Sequence, residues 1–123
     1  MSTSSDPPDP LSFLPLTPLA FHVLVALGNG ELHGYGIIKD IEERTDGALT
    51  LRSGTLYTAL QRLLDAGWME DAPATGRGAV DPRRRYYRIT RLGRVIAAAE
   101  SERLARMVAD ARERRLAPGD AGA

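Results

Sequence analysis

Apolar residues along this chain recur at helical spacing in its first half. From about Thr17 to Leu27 the positions are almost continuously apolar, with Thr17 placed to cap a helix and Pro18 in the favoured first position. Gly28-Asn29-Gly30 stops that helix. A second helix is predicted from about Gly34 to Thr45, where Tyr35, Ile38 and Ile41 recur at helical intervals and Asp46-Gly47 makes the exit. Leu49 to Leu51 reads as a short extended piece. The third helix has the clearest pattern. Ser53 is its expected N-cap, and Leu56, Leu60, Leu63 and Leu64 fall at i, i+4, i+7 and i+8 to form one buried stripe. Thr58, Gln61, Arg62 and Asp65 lie away from that stripe, and Gly67 ends the helix.

After Gly67 the period changes. Trp68-Met69-Glu70 reads as a strand, and a loop from Pro73 to Arg83 follows, broken by Gly76, Gly78 and Pro82. Arg85 to Ile89 alternates as the returning strand, which puts Tyr86 and Tyr87 on opposite faces, one in the core and the other at a surface or interface. Trp68 is expected in the core, and His33 in a structural or capping role at the start of the second helix. Thr90 caps a long last helix reaching about Arg115. The fold class is therefore mostly α with a small β-hairpin, a winged helix-turn-helix followed by one long helix. Residues 1–12 and 118–123, rich in Ser, Pro, Asp or Gly, read as disordered tails. Between them lie a winged domain at 13–90 and a C-terminal helix at 91–117.

Composition narrows the function. A chain of 123 residues supports one compact domain. The absence of cysteine removes disulfides and thiolate metal sites, and His22 and His33 alone make no metal cluster. The start of the chain lacks the positive charge of a secretory signal. The apolar stretch from Phe13 to Leu27 is too short, and too interrupted by Pro15, Pro18 and His22, to span a bilayer. A cytoplasmic protein without membrane contact is expected. Gly28 to Gly34 lacks the spacing of a dinucleotide loop and follows no strand, and Lys39, the only lysine, sits inside a helix rather than in a phosphate loop. With no nucleophile beside a base and no evident carboxylate pair, neither an enzyme nor a cofactor is expected.

Net charge is zero, yet its distribution is uneven. Residues 1–51 carry seven acids and two bases, a balance of −5, whereas 52–94 carry nine arginines against four acids, a balance of +5. That basic middle contains both the third helix and the hairpin, which makes duplex DNA the expected partner. In the third helix, Gln61 suits adenine and Arg62 guanine, while Ser53, Thr55, Tyr57 and Thr58 suit phosphate or a thymine methyl. In the wing, Arg77, Arg83, Arg84, Arg85 and Arg88 suit the backbone or a narrow minor groove. Each feature alone has a plainer reading, a soluble amphipathic helix or a solvated charge run. Their adjacency favours DNA. The last helix carries two apolar arcs, Leu92, Ile96 and Ala99 near its start, then Ala97, Leu104, Val108 and Ala111 about a quarter turn away. One arc suits the winged domain. The other, with Met107, suits a second copy of the chain, so a homodimer is expected.

Several segments together resemble the PadR family of transcriptional regulators. They are His33-Gly34-Tyr35-Gly36-Ile37, Ser53-Gly54-Thr55-Leu56-Tyr57 and Leu63-Leu64-Asp65-Ala66-Gly67-Trp68, then Arg85-Tyr86-Tyr87-Arg88-Ile89-Thr90 followed by Gly93. The similarity runs from about Leu16 to Arg115, and the single C-terminal helix resembles the smaller branch of the family. The resemblance implies a repressor on a palindromic operator, dimerised through its last helix and relieved by a small-molecule effector. Some relatives stack flat aromatic effectors at the dimer interface, but the last helix here has no Phe, Tyr or Trp to stack on. A winged-helix protein-interaction module without DNA is the alternative reading, and a small enzyme a distant third.

Overall fold

The computed structural model describes residues 10–73 and 84–118. A 3-10 turn at Pro10–Phe13 leads into α1 (Pro18–Ala26), and a second 3-10 turn at Leu27–Asn29 leads into β1 (Leu32–His33). Then come α2 (Gly34–Arg44), α3 (Ser53–Ala66), β2 (Met69–Ala72), β3 (Tyr86–Ile89) and α4 (Arg91–Glu113). The turn Pro10–Phe13 begins inside the stretch expected to be a tail. The rest of that stretch, and 119–123, lie outside the described residues.

Local chemistry sets most boundaries. The Thr17 side chain accepts from Ala20 N–H and Pro18 opens α1, as the sequence requires. His33 caps α2, its Nδ1 accepting from Gly36 N–H at 2.9 Å. In α3 the cap position falls on Arg52, without a side-chain hydrogen bond, and Ser53 is the first helical residue. The expected Ser53 cap is thus one residue too late. At the other end Gly67 takes a left-handed φ of 81°, and the N–H groups of Gly67 and Trp68 close on the carbonyls of Leu64 and Leu63. That closure satisfies two otherwise orphaned acceptors and turns the chain sharply into β2.

The sheet differs from the expected hairpin. It is three-stranded and antiparallel in the order β1-β3-β2, with Leu32 opposite Tyr87, His33 opposite Tyr86 and Met69 opposite Ile89. β3 is therefore central. The expectation that one of its tyrosines is exposed fails, because both are buried, Tyr86 at 4% and Tyr87 at 2% exposure. Tyr87 joins the core, while the His33 ring on the added strand covers Tyr86 edge-on at 5.3 Å. Leu49 to Leu51 joins no strand. Leu49 and Leu51 are half-buried against the core, and Leu49 N–H donates to the Thr45 hydroxyl.

The core gathers Val23, Leu24 and Leu27 from α1 and its exit, Ile37 and Ile41 from α2, and Leu56, Leu60 and Leu63 from α3. Met69, Tyr87 and Ile96 close it. Each of these side chains contributes about 1.5–3 kcal/mol by leaving water. The stripe of α2 is thus Ile37 and Ile41 with Ile38 half-buried, and Tyr35, expected on it, is 57% exposed. Trp68 is buried as expected, edge-on to Phe13 at 5.3 Å.

Two joints fix α4 to this body. Thr90 accepts from Gly93 N–H, donates its hydroxyl to the Gly67 carbonyl at 2.7 Å, and its N–H donates to the Trp68 carbonyl. Gly93 packs so closely there that an added Cβ would stand 2.0 Å from Trp68 O. About two turns later Glu100 is buried, accepting from Leu16 N–H at 3.2 Å and from both the Nε and an Nη of Arg103. Hydrogen bonds from Arg103, then from the Leu16 N–H, hold the Glu100 carboxyl below the usual carboxylate range against the opposing effect of burial. Beyond Glu100 the helix leaves the core.

Candidate nucleic-acid interface

α3 is gripped on one side by Leu56, Leu60 and Leu63, which leaves Thr55, Thr58, Gln61, Arg62 and Asp65 exposed on the outer side. Not all of these side chains are uncommitted. The Thr58 hydroxyl donates back to the Gly54 carbonyl at 3.0 Å, and the Gln61 amide donates to Asp65 Oδ1 at 2.9 Å. Arg62 has no hydrogen bond or ion pair among the described residues. The structure therefore places Thr55, Thr58, Gln61 and Arg62 on one outward arc, about the width a major groove accepts.

Ser53 and Tyr57 sit elsewhere. Ser53 is exposed at the first turn. Tyr57 is half exposed and leans toward α2, where a Cβ added to Gly34 would lie 2.8 Å from its hydroxyl. Glycine at position 34 lets that tyrosine lie across the start of α2.

The wing divides its arginines. Arg77 and Arg83 lie outside the described residues. Arg85 pairs with Asp71 across the sheet, both its Nε and an Nη reaching the carboxylate, and stacks over the Tyr87 ring at 5.3 Å. The pairing lowers the Asp71 pKa and raises that of Arg85, and burial raises that of Tyr87. Arg88 pairs with Glu70, its register partner on β2, at 2.7 Å. Arg84 lies 3.2 Å from His33 Nδ1 and 5.8 Å from the centre of the Tyr35 ring. Glu70 and Asp71 on β2 thus neutralise two of the wing arginines.

This neighbourhood also holds residues that pattern reading missed. Tyr35 stacks on His33 at 6.3 Å between ring centres, with Lys39 Nζ 6.0 Å from the centre of its ring. An aromatic at the second position of a helix, two residues after a histidine cap, was the available signal.

On α4, Ala97 packs against the protein's own core, and Leu104 and Ala111 are half-buried. Met107 at 56% and Val108 at 43% exposure, followed by Leu116 at 77%, face solvent in the single chain. No described helix is long and apolar enough to cross a membrane, and no group of three acids or histidines among the described residues is arranged to hold a metal.

Comparison with known proteins agrees with this architecture. The model of the transcriptional regulator PadR-like family matches residues 23–99. A transcriptional regulator from Clostridium thermocellum is 31% identical, matched over 75% of this chain and 86% of its own with a TM-score of 0.61. A complex structure of Halobacterium salinarum RosR is 28% identical over 86% of this chain and 89% of its own, with a TM-score of 0.65. Bacillus subtilis PadR in complex with operator DNA shares the fold at 24% identity, over 72% of this chain and 47% of that longer one, with a TM-score of 0.55. No curated protein matches the chain. The winged helix, the exposed arc of α3 and the family match over most of the domain lead to one assignment. The chain belongs to the PadR-like family of transcriptional regulators, and is a non-enzymatic DNA-binding protein.

Proposed function

We propose that the protein is a cytoplasmic homodimeric repressor that binds a palindromic operator, with α3 in the major groove and the wing on the flanking backbone. The observation that carries this reading is the outward arc of α3, where Arg62 stands exposed and, among the described residues, unpaired beside Thr55, Thr58 and Gln61. Base-edge contacts belong to Gln61 and Arg62, and contacts to phosphate or a thymine methyl to Ser53, Thr55, Tyr57 and Thr58. In the wing the backbone contacts belong to Arg77, Arg83 and Arg84, while Arg85 and Arg88 are held by Asp71 and Glu70. The operator DNA bound by Bacillus subtilis PadR supports the choice of partner.

The dimer follows from α4. Met107 and Val108 expose apolar surface that Leu104 and Ala111 extend, and a symmetric pair of such helices covers both copies. Pairing places two α3 helices at a fixed separation, about 34 Å for one turn of duplex, so the operator inherits the protein's two-fold symmetry. Repression, and its relief by a small molecule, rest on the family.

Selection of bound sequences from a random duplex pool tests this directly. An inverted repeat with half-sites one helical turn apart is expected, together with affinity that falls steeply as salt rises. Binding without sequence preference, or a single asymmetric site, would overturn the symmetric reading.

A further inference from the structure

A cleft of about 610 Å³ runs between α1 and α3, floored by Trp68. Its volume lies inside the range of about 300–1,000 Å³ that holds small organic ligands. Phe13, Leu19 and Leu63 give it apolar walls, and Thr55, Thr58 and Arg62 bring the outer arc of α3 to its edge. No carboxylate lines it, so the Arg62 guanidinium is the one formal charge there. An unpaired cation on an apolar cleft matches one ligand chemistry, an apolar body ending in an anion. A second unmet group adjoins it. The Trp68 indole N–H is buried without an acceptor, the one side-chain polar atom among the described residues in that condition.

We propose that this cleft binds a small apolar carboxylate, a one- or two-ring or branched aliphatic acid whose carboxyl group pairs with Arg62. Binding there draws Arg62 away from DNA, since one guanidinium cannot hold a ligand carboxylate and a base edge together. The cleft thus sits on the reading helix itself, apart from the distal half of α4 assigned to pairing, and needs no aromatic residue on α4. The effector's release of DNA rests on α3 being the reading helix. The binding site does not.

Trp68 is the protein's only tryptophan and lines the cleft, so its emission reports occupancy without a label. The probes are 4-phenylbutyrate and 4-cyclohexylbutyrate, which leave the indole excitation band clear, and their uncharged amides. Titrated into the full chain without DNA, each acid is expected to change the emission saturably and to bind about tenfold or more tighter than its amide. Arg62→Gln should erase that preference and leave amide binding as it was. Ala59→Phe, which fills the cleft from α3, should abolish binding of all four while the circular dichroism and melting midpoint hold. No saturable change up to about 5 mM acid, or equal affinity for acid and amide, overturns the site. A second titration, on protein bound to its selected duplex, tests the coupling. Acids should release the DNA and amides should not. If the first titration succeeds and the second fails, the cleft binds acids but α3 is not the reading helix it blocks.

Discussion

α3 and α4 are both long amphipathic helices, but they leave opposite faces uncommitted. α3 buries Leu56, Leu60 and Leu63, keeps Leu64 half-buried against the core, and presents polar groups to solvent. α4 buries only its first half, through Gly93, Ile96 and Glu100, and then carries Met107 and Val108 out into solvent. An interface is better identified by what a helix leaves unused than by what it contains. Polar groups left over after the fold is satisfied point to nucleic acid, and apolar groups left over point to another copy of the chain.

The largest expected effect breaks the α4 side of this contrast. Leu104→Glu with Val108→Glu puts four carboxylates into the paired interface without partners. Dissociation is expected, with a loss of about 4 kcal/mol, or about a thousandfold, in operator affinity, while each winged domain stays folded. Light scattering, circular dichroism and DNA titration on one preparation check it. A folded double mutant that remains dimeric would falsify the assignment of this face.

The anchored half of α4 should respond in the opposite way. Gly93→Ala forces a methyl group to within 2.0 Å of a backbone carbonyl that cannot swing aside, because the same carbonyl accepts from Thr90 N–H. A loss of about 3 kcal/mol in folding stability is expected, read as a lower denaturation midpoint at unchanged slope. A change under about 0.5 kcal/mol would mean that the α3–α4 joint is looser than its hydrogen bonds imply.

Glu100 gives a smaller, pH-dependent effect. Its carboxyl is held below the unfolded value near 4.5 by Arg103 and the Leu16 N–H. A depressed folded-state pKa adds stability that is complete above pH 4.5 and is lost as pH falls through the lower folded value. Glu100→Gln should cost about 1–2 kcal/mol at pH 7, and the gap from the parent should close as the pH approaches the folded value. Denaturation curves at pH 7 and pH 3.5 check it, and a gap that widens in acid would contradict the assigned sign.

Which of these features the sequence discloses depends on the distance between cause and effect. Thr17 with Pro18, Thr90 with Gly93, the leucines of α3 and the turn at Gly67 act within one or two helical turns, and all four appear as the pattern predicts. β1 is two residues long and exists only through pairing with Tyr86 and Tyr87, more than fifty positions later, so no local period signals it. The burial of both tyrosines follows from that pairing. Glu100 is buried by an N–H 84 residues away. In the candidate site, the outward arc of α3 is legible from helical spacing, whereas the pairing of Arg85 and Arg88 with acids on β2 depends on strand register across the wing. The charge count finds a basic region. Geometry decides which charges in it are available.

The same criterion of unused groups separates two arginines, and gives the smallest expected effect. Arg62 on α3 makes no ion pair among the described residues, Asp65 one turn on being taken by Gln61, while Arg88 on β3 is held by Glu70 at 2.7 Å, the Arg88 and Glu70 side chains each about half exposed. Such an exposed pair is worth little to the fold, about 0.5 kcal/mol or less, so the fold barely registers its loss. For DNA the comparison is sharper. Arg62→Ala should cost about 1–3 kcal/mol on the selected duplex and little on a shuffled one, the mark of a base contact. Arg88→Ala should change both by less than about 0.5 kcal/mol and leave the slope of log K against log salt within about 0.3, because a guanidinium already held by a carboxylate releases few counterions on binding. Glu70→Gln completes the comparison. With the carboxylate gone Arg88 becomes available, and the salt slope should steepen by up to about 0.9 on any sequence. Anisotropy titrations of the three variants at four salt concentrations decide it. Equal losses for Arg62→Ala and Arg88→Ala on the selected duplex would mean that the Glu70 pair opens on DNA, and that the sheet reads the operator as fully as α3 does.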